Sequence, residues 1–196
     1  MLFSRPTDLA PETIDDDMNA ANAHSYTRAL IDAWKRLAPG GDIDAGPHAA
    51  EYPGLIDNLF VLSCSGDADL EFRNAGTGME QLFGRDLIEH DFLSLWRNDN
   101  WVEVMAAAAD AIDAHAPVVL RTSATTIGDE TVELEFTLAP IGNSTSRQAR
   151  FLGLCQIVTR APRALSLTHG SLELHSVERH TEPKPRPQLR LVVSNP

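Results

Sequence analysis

The sequence has few basic residues, few aromatic residues and only two cysteines. Its 196 residues include 16 basic and 28 acidic side chains, so the formal net charge is -12. Nucleic-acid binding depends on Lys and Arg side chains that neutralise phosphates, and single strands also need aromatic rings on which bases stack. With 6% aromatic residues and this excess of acids, the chain is not expected to bind nucleic acid.

Long apolar segments are missing as well. No run approaches the roughly 20 apolar residues that a membrane-spanning helix needs. The N-terminal residues 1–6 are not followed by the apolar stretch of a secretory signal. Cys64 and Cys155 are too few for a disulfide framework, so both are expected to be buried, reduced thiols. These observations predict a cytoplasmic protein without membrane insertion.

Familiar catalytic motifs are also absent. The sequence contains no Walker A loop, no His-Glu-x-x-His, no Gly-x-Ser-x-Gly and no Cys-x-x-Cys. His169, His175 and His180 lack the spacing of a metal site, so no metal is expected. The sequence therefore predicts a protein that is not an enzyme, with a small α+β enzyme of unrecognised site as an alternative.

Charge and composition divide the chain into three parts. Residues 1–21 contain no hydrophobic periodicity and are predicted to form a flexible acidic arm. Residues 1–159 hold 10 basic and 25 acidic side chains, whereas residues 160–196 hold 6 basic and 3 acidic ones. This change of sign predicts a folded domain over residues 22–160 and a basic tail over residues 161–196.

The tail contains three prolines and two β-prone segments. Pro183, Pro185 and Pro187 favour an extended spacer. The first segment, around Leu172 and Val177, is predicted to form a short strand. The second, Leu189–Val193, is either a frayed terminus or a strand that docks on this sheet or on a partner. Docking on the chain's own domain predicts that removal of residues 161–196 lowers stability in a strongly salt-dependent way.

Hydrophobic periodicity predicts the order helix, two strands, short helices, long helix, three strands. The first helix spans about residues 22–37, and the long helix, between Asp99 and Pro117, has an apolar stripe that includes Trp101 and Met105. The predicted strands are Leu59–Cys64, Leu70–Asn74, Val118–Ile127, Thr131–Leu138 and Phe151–Val158. Hairpin-joined strands around a helical middle indicate an α+β fold with one antiparallel sheet and helices on one face.

Several motifs make this order resemble a PAS domain, in particular that of short bacterial single-domain PAS proteins. In that family, F-R-x-x-G-T is followed by F-G-R-x-L, and here the matching residues lie in Phe72–Thr77 and Phe83–Leu87. The family's W-x-x-L helix matches Trp34–Leu37, and its terminal L-R-x-V run matches Leu189–Val192. The resemblance covers about residues 25–160 and implies a five-stranded antiparallel sheet of order 2-1-5-4-3.

The resemblance also implies a pocket between the sheet and the middle helices for a small apolar or amphipathic ligand. Under it, the candidate ligand-binding residues are Phe72, Asn74, Thr77, Phe83, Leu95, Trp101, Met105, Leu120, Leu134 and Phe136. Strand alternation independently places Asn74 on the inward face with Phe72, where its amide either binds a ligand or satisfies nearby backbone. Thr77 either contacts a ligand or caps the short helix, and Trp101 and Met105 either contact a ligand or pack in the core.

The cofactor remains unknown from the sequence. A flavin adduct of the kind found in light-sensing PAS domains requires a cysteine on the helical segment near the flavin, and Leu82–Asp86 contains none. Haem ligation requires a histidine that faces the pocket. His90 and His115 are both expected to be solvated, so haem is not favoured.

Two strands, Leu59–Cys64 and Phe151–Val158, are apolar on both faces, so the outer face of the sheet must be covered. The first helix, a second copy of the chain, or both can supply that cover. Many PAS domains dimerise through such a helix. The resemblance therefore implies a homodimer whose interface includes Tyr26, Leu30, Trp34 and Leu37.

The sequence as a whole predicts a non-enzymatic PAS-type sensory or regulatory module. It binds a small ligand or a protein partner and, having no output domain in this sequence, influences an unidentified signalling protein in trans. The alternative from a different class is a ligand-free dimeric adaptor whose function lies in its surface.

Overall fold

A computed structural model describes residues 24–37, 54–64, 69–141, 149–159 and 166–180. The acidic arm 1–21 and the Leu189–Val193 run lie outside these residues, so the expectations for them stay predictions. Within the described ranges, no helix is both long enough and apolar enough to cross a membrane.

The described elements follow the predicted order along the chain. They are helix α1 (Ser25–Leu37), a 3-10 turn (Ile56–Asn58), strands β1 (Leu59–Cys64) and β2 (Leu70–Ala75), helix α2 (Thr77–Phe83), a second 3-10 turn (Phe92–Leu95), helix α3 (Asn100–Ala114), and strands β3 (Val118–Thr125), β4 (Thr131–Ile141), β5 (Ala149–Ile157) and β6 (Glu173–Arg179).

The strands form one antiparallel sheet with the order β2-β1-β5-β4-β3-β6. The predicted α+β fold and strand order 2-1-5-4-3 are confirmed, and β6 adds a sixth strand to the five that the resemblance implies. The short strand expected around Leu172 and Val177 is β6, which pairs with β3 at the edge of the sheet. The sheet thus includes a strand from beyond residue 160, where the charge of the sequence changes sign.

Helix α3 packs on the inner face of the sheet, the face that carries Leu120 and Phe136, through small side chains. Its buried residues are Val104, Ala107, Ala108 and Ala111. The predicted stripe was therefore wrong at Trp101, which is 42% exposed. Alanine lets the helix approach the sheet closely, whereas an indole at the same interface would hold it away. The predicted stripe with Trp101 and the observed buried stripe have the same helical spacing, so periodicity alone does not show which of them faces the sheet.

Helix α1 covers the opposite, outer face of the sheet over β4 and β5. The backbone N–H of His24 donates to Glu135 Oε1 at 3.1 Å, and Trp34 Nε1 donates to the carbonyl of Pro140 at 2.7 Å. Between these contacts, the hydroxyls of Thr27 and Thr137 lie 3.4 Å apart. Glu135 and Thr137 do lie on the outer face, as the alternation predicts, but α1 leaves them only 1% and 0% exposed.

Candidate functional site

The space between the sheet and the middle helices is filled by aromatic side chains. Five rings, each 5% exposed or less, form one cluster: Phe60, Phe72, Phe92, Trp96 and Phe136. The ring of Phe92 lies at its centre, with the centroids of Phe60 and Phe136 at 5.9 and 5.8 Å. Separations of this size are those of rings in direct contact. The place where the resemblance implies a ligand pocket is therefore occupied by the protein's own core.

A glycine on β5 makes room for this cluster. Gly153 pairs with Phe60 across the sheet, and a Cβ placed on Gly153 would overlap the Phe60 ring. Because glycine has no side chain, Gly153 lets the Phe60 ring lie directly against the backbone of β5 on the inner face. The cluster therefore depends on this position as much as on the aromatic residues themselves.

Most of the predicted ligand-binding residues are part of the packed core. Phe72, Leu95, Leu120, Leu134 and Phe136 are each 1% exposed or less. Phe83 and Met105 are half-buried and pack against the same core. These residues belong to the core cluster or pack directly against it.

Asn74 lies on the outside, so the expectation that it faces inward was wrong. Its side chain is exposed, although Phe72 is fully buried. The register between β1 and β2 shifts here, with Val61 opposite Asn74 and Leu62 opposite Phe72. Arg73 is the extra residue of this β-bulge, and one extra residue turns the following side chain to the other face.

Thr77 is exposed and is the first residue of α2, whereas Gly76 holds the cap position without a side-chain hydrogen bond. The Thr77 hydroxyl donates to Asp57 Oδ1 at 3.2 Å and so ties α2 to the first 3-10 turn. Glycine is required at position 76, where a Cβ would overlap the carbonyl of Asp57. The Gly76-x-Gly78 pattern thus brings the 3-10 turn against the start of α2.

This close approach leaves a cavity at one end of β5. β1 begins at Leu59, which lies opposite Leu154, so β5 has no strand neighbour on this side beyond Leu154. The 3-10 turn and α2 occupy that side instead, and a cavity of about 250 Å³ remains between them. Its lining residues are Asn58, Gly78, Gln81, Leu82, Cys155, Gln156 and Ile157. We call this the β5-end cavity.

No pattern in the sequence points to the amides of this cavity. Asn58, Gln81 and Gln156 come from three separate elements, and no spacing rule links them. The available signal was the glycine pair Gly76 and Gly78, which indicates a close backbone approach. That pattern predicts contact with some other segment, but only the fold identifies the segment as the turn before β1.

Burial controls the chemistry of the thiol in this cavity. Cys155 lies on the inner face of β5, opposite Phe136, and is 1% exposed. Desolvation raises the pKa of the Cys155 thiol far above its ordinary range, because a thiolate would lose its hydration without gaining a partner. The thiol is therefore neutral and a poor nucleophile at physiological pH.

Comparison with known sequences identifies the family. A family model described as a PAS domain matches residues 22–156, which is more than half of the chain. The chain belongs to the PAS domain family. PAS domains are sensory modules capable of binding ligands or of signalling. Comparison with curated proteins gives no match.

Solved structures with a similar fold belong to LOV photoreceptors. A single-substitution variant of RsLOV is 18% identical, with 57% of this chain and 68% of that chain covered and a TM-score of 0.43. The blue-light photoreceptor Aureochrome1 LOV in its dark structure is 15% identical, with coverage of 59% and 86% and a TM-score of 0.43. A fungal LOV domain photoreceptor is 20% identical, with coverage of 73% and 98% and a TM-score of 0.41.

The predicted dimer residues of this PAS domain have different environments. Leu30 is only 5% exposed within a single copy, so it has little surface left for an interface with a second copy. Tyr26 and Trp34 are half-buried, and the side chain of Leu37, the last residue of α1, falls outside the described part. Helix α1 thus buries Leu30 and Ile31 within the same copy of the chain, and it is the first of the two covers that the sequence left open.

Part of the outer face next to α1 is apolar and incompletely covered. Leu59, Val61 and Leu152 lie on the face opposite the aromatic cluster, and all three are half-buried. Val61 and Leu152 are direct neighbours across β1 and β5. We call Leu59, Val61 and Leu152 the outer strip.

The cysteines and histidines in the described part of this PAS domain lie apart from one another. Cys64 lies opposite Ala149, six residues along β5 from Cys155, so the two thiols are too far apart for a disulfide. His90 and His115 are both exposed. Within the described residues, no group of three or more His, Cys, Asp or Glu side chains is arranged to hold a metal ion.

Proposed function

We propose that this PAS domain is a non-enzymatic regulatory module that acts in trans through contacts with proteins. The observation that carries the proposal is the five-ring cluster. Because these rings fill the interior, contacts with other molecules would form on the surface of the fold. This is the adaptor form of the two roles that the sequence predicts. The two cysteines, neither in a disulfide, favour a reducing compartment and thus the cytoplasm.

The outer strip and the neighbouring Trp34 form the contact surface in this proposal. Half-buried apolar side chains on a sheet face favour a partner that completes their burial. A second copy of the chain is the partner we propose, because a two-fold axis over Val61 would place the same apolar surface on both sides of the interface. Homodimerisation would then use the edge of α1 together with β1 and β5.

A glutamate at Val61 tests the dimer. Val61→Glu introduces a charge at the centre of the proposed interface, so the dimer is expected to dissociate in sedimentation velocity experiments over a dilution series. Val102→Glu is the matched control, because Val102 is 50% exposed on α3, away from the outer strip. A wild-type chain that stays monomeric at every concentration, or a Val61→Glu chain that stays dimeric, contradicts the interface.

Action in trans needs a separate experiment. The wild-type chain and the Val61→Glu and Val102→Glu variants are used as baits in source-cell extract, and proteins retained by the wild type are purified. The activity of each is then assayed with and without the chain. The proposal expects a signalling protein whose activity changes with the wild type and with Val102→Glu. If no retained protein changes its activity, a regulatory role in trans is excluded.

A further inference from the structure

The β5-end cavity supports a ligand site that is separate from the packed interior. We infer that it binds a small uncharged polar molecule that carries both hydrogen-bond donors and acceptors, as a carboxamide or a nucleobase does. This inference goes beyond the proposed function, which does not depend on it. A volume of about 250 Å³ is somewhat below the range of about 300–1,000 Å³ for ordinary ligand pockets, so the occupant is small.

The composition of the lining argues for an uncharged ligand. Three of the seven lining residues are carboxamides, namely Asn58, Gln81 and Gln156, and none is charged. This stands out in a chain in which 22% of the residues are charged. A carboxamide offers one acceptor oxygen and two donor hydrogens, so the lining matches a ligand with both kinds of group. Leu82 and Ile157 supply the apolar part of the wall.

One of these amides lacks a partner. Gln156 is 6% exposed, and its Nε2 is buried without a hydrogen-bond partner in the described part of the chain. A buried donor left unsatisfied costs about 1–3 kcal/mol, and native proteins rarely leave one without a reason. Asn58 already uses part of its hydrogen-bonding capacity, because its Nδ2 donates to the carbonyl of Gly54 at 3.0 Å. Gln156 pairs with Glu135 across β5 and β4, so its side chain lies on the outer-face side of the cavity, where an acceptor on the ligand would satisfy Nε2.

The surroundings of the cavity do not favour an anion. A shallow groove of about 510 Å³ adjoins it at Gln81 and is lined by Glu80, Arg85 and Asp86 together with Thr77. Two carboxylates outnumber the single guanidinium there. The neutral Cys155 thiol adds no charge from the side of the sheet. An anionic ligand would therefore meet no cation among the residues that line the cavity.

The test compares benzamide with benzoate, which have nearly the same shape but differ in charge and in hydrogen-bond donors. Uracil and inorganic phosphate serve as a second neutral and a second anionic probe. Each is titrated into the ¹⁵N-labelled full chain, and chemical shifts of the backbone amides of Gly78, Gln81 and Gln156 are followed. We expect saturable shifts at these amides with benzamide or uracil, and none with benzoate or phosphate.

Two variants identify the site. Gln81 is exposed at the mouth of the cavity, so Gln81→Leu is expected to leave the fold intact and to weaken binding about tenfold through the loss of one hydrogen bond. Asn74→Leu removes an equally exposed amide outside the cavity and is expected to leave the affinity unchanged. The inference is overturned if neither neutral probe gives saturable shifts, if benzoate binds as well as benzamide, or if the two variants have equal affinity.

Discussion

At the scale of single residues, Gly153 is the position on which the packed interior depends most. Gly153→Ala would force the Phe60 ring away from β5, because the new Cβ overlaps it. We expect a loss of about 1–3 kcal/mol in the free energy of unfolding, measured by urea denaturation. In the Phe60→Leu background the same substitution should cost clearly less, since the clash is absent. Equal costs in both backgrounds would contradict the contact.

The Cys155 thiol gives stability a pH dependence of known sign. Its pKa is raised by burial in the folded state, whereas an unfolded cysteine ionises near pH 8.5. The folded chain therefore retains a proton that the unfolded chain loses, so this contribution is complete below about pH 8.5 and declines above it. Above that pH, the free energy of unfolding should fall by about 1.4 kcal/mol per pH unit for this one proton.

Cys155→Ala removes this titration and serves as the control. The free energy of unfolding, measured by urea denaturation from neutral to alkaline pH, should fall more steeply for the wild type than for the variant above the unfolded pKa. Parallel curves over that range would mean that the thiol is not buried as described.

At the scale of elements, the attachment of α1 rests on a buried carboxylate at its N-terminus. Glu135 accepts a hydrogen bond from the His24 N–H, and Arg121 Nη2 lies 3.8 Å from its other oxygen. A carboxylate here also faces the positive end of the helix dipole. Glu135→Ala would leave the N–H unsatisfied and is expected to cost about 1–3 kcal/mol in urea denaturation. Glu135→Gln keeps an acceptor oxygen and should cost less; equal losses would contradict this role of the hydrogen bond.

The segment with β6 is attached by buried leucines and by backbone pairing with β3, contrary to what the basic tail suggests. Leu167 and Leu172, which precede β6, are 5% and 1% exposed. The ion pair between Arg179 and Asp110 is more than half exposed on both sides, and such pairs contribute little. Removal of residues 166–196 should therefore lower the free energy of unfolding by at least about 3–6 kcal/mol, from the two leucines alone.

This loss should be nearly the same at low and high salt, in contrast to the strong salt dependence that the charge of the tail predicts. Removal of residues 181–196 is the control, because it leaves every described element in place. Urea denaturation of both truncated chains at two salt concentrations checks the prediction. A loss that disappears at high salt, or one of equal size in the control, would contradict it.

The order of elements was predictable because strand and helix periods are properties of the sequence itself. Alternation in β4 and apolar runs in β1 and β5 predict their places in the sheet without knowledge of contacts. The bulge at Arg73 has no such signature, and it reverses the direction of Asn74. The β5-end cavity could not be predicted either. It arises because β5 continues past Leu154, the residue that lies opposite the first residue of β1.

At the scale of the whole molecule, both faces of the sheet are covered over β4 and β5, by the helical layer inside and by α1 outside. The net charge of -12 combines 10 basic and 25 acidic side chains over residues 1–159 with 6 basic and 3 acidic ones over residues 160–196. In our account, the interior is a packed core, and the outer strip is the proposed contact surface. The central claim is that the aromatic rings fill the space that a ligand chamber would require.

Proton–proton nuclear Overhauser effects among the phenylalanine rings test this claim most directly. The chain is purified without denaturation after selective labelling of phenylalanine, so that any ligand bound in the cell is retained. We predict direct effects between the ring protons of Phe92 and those of Phe60, Phe72 and Phe136, whose centroids lie 5.7–5.9 Å away. The absence of these effects, with effects from the same rings to a bound small molecule in their place, would contradict the account.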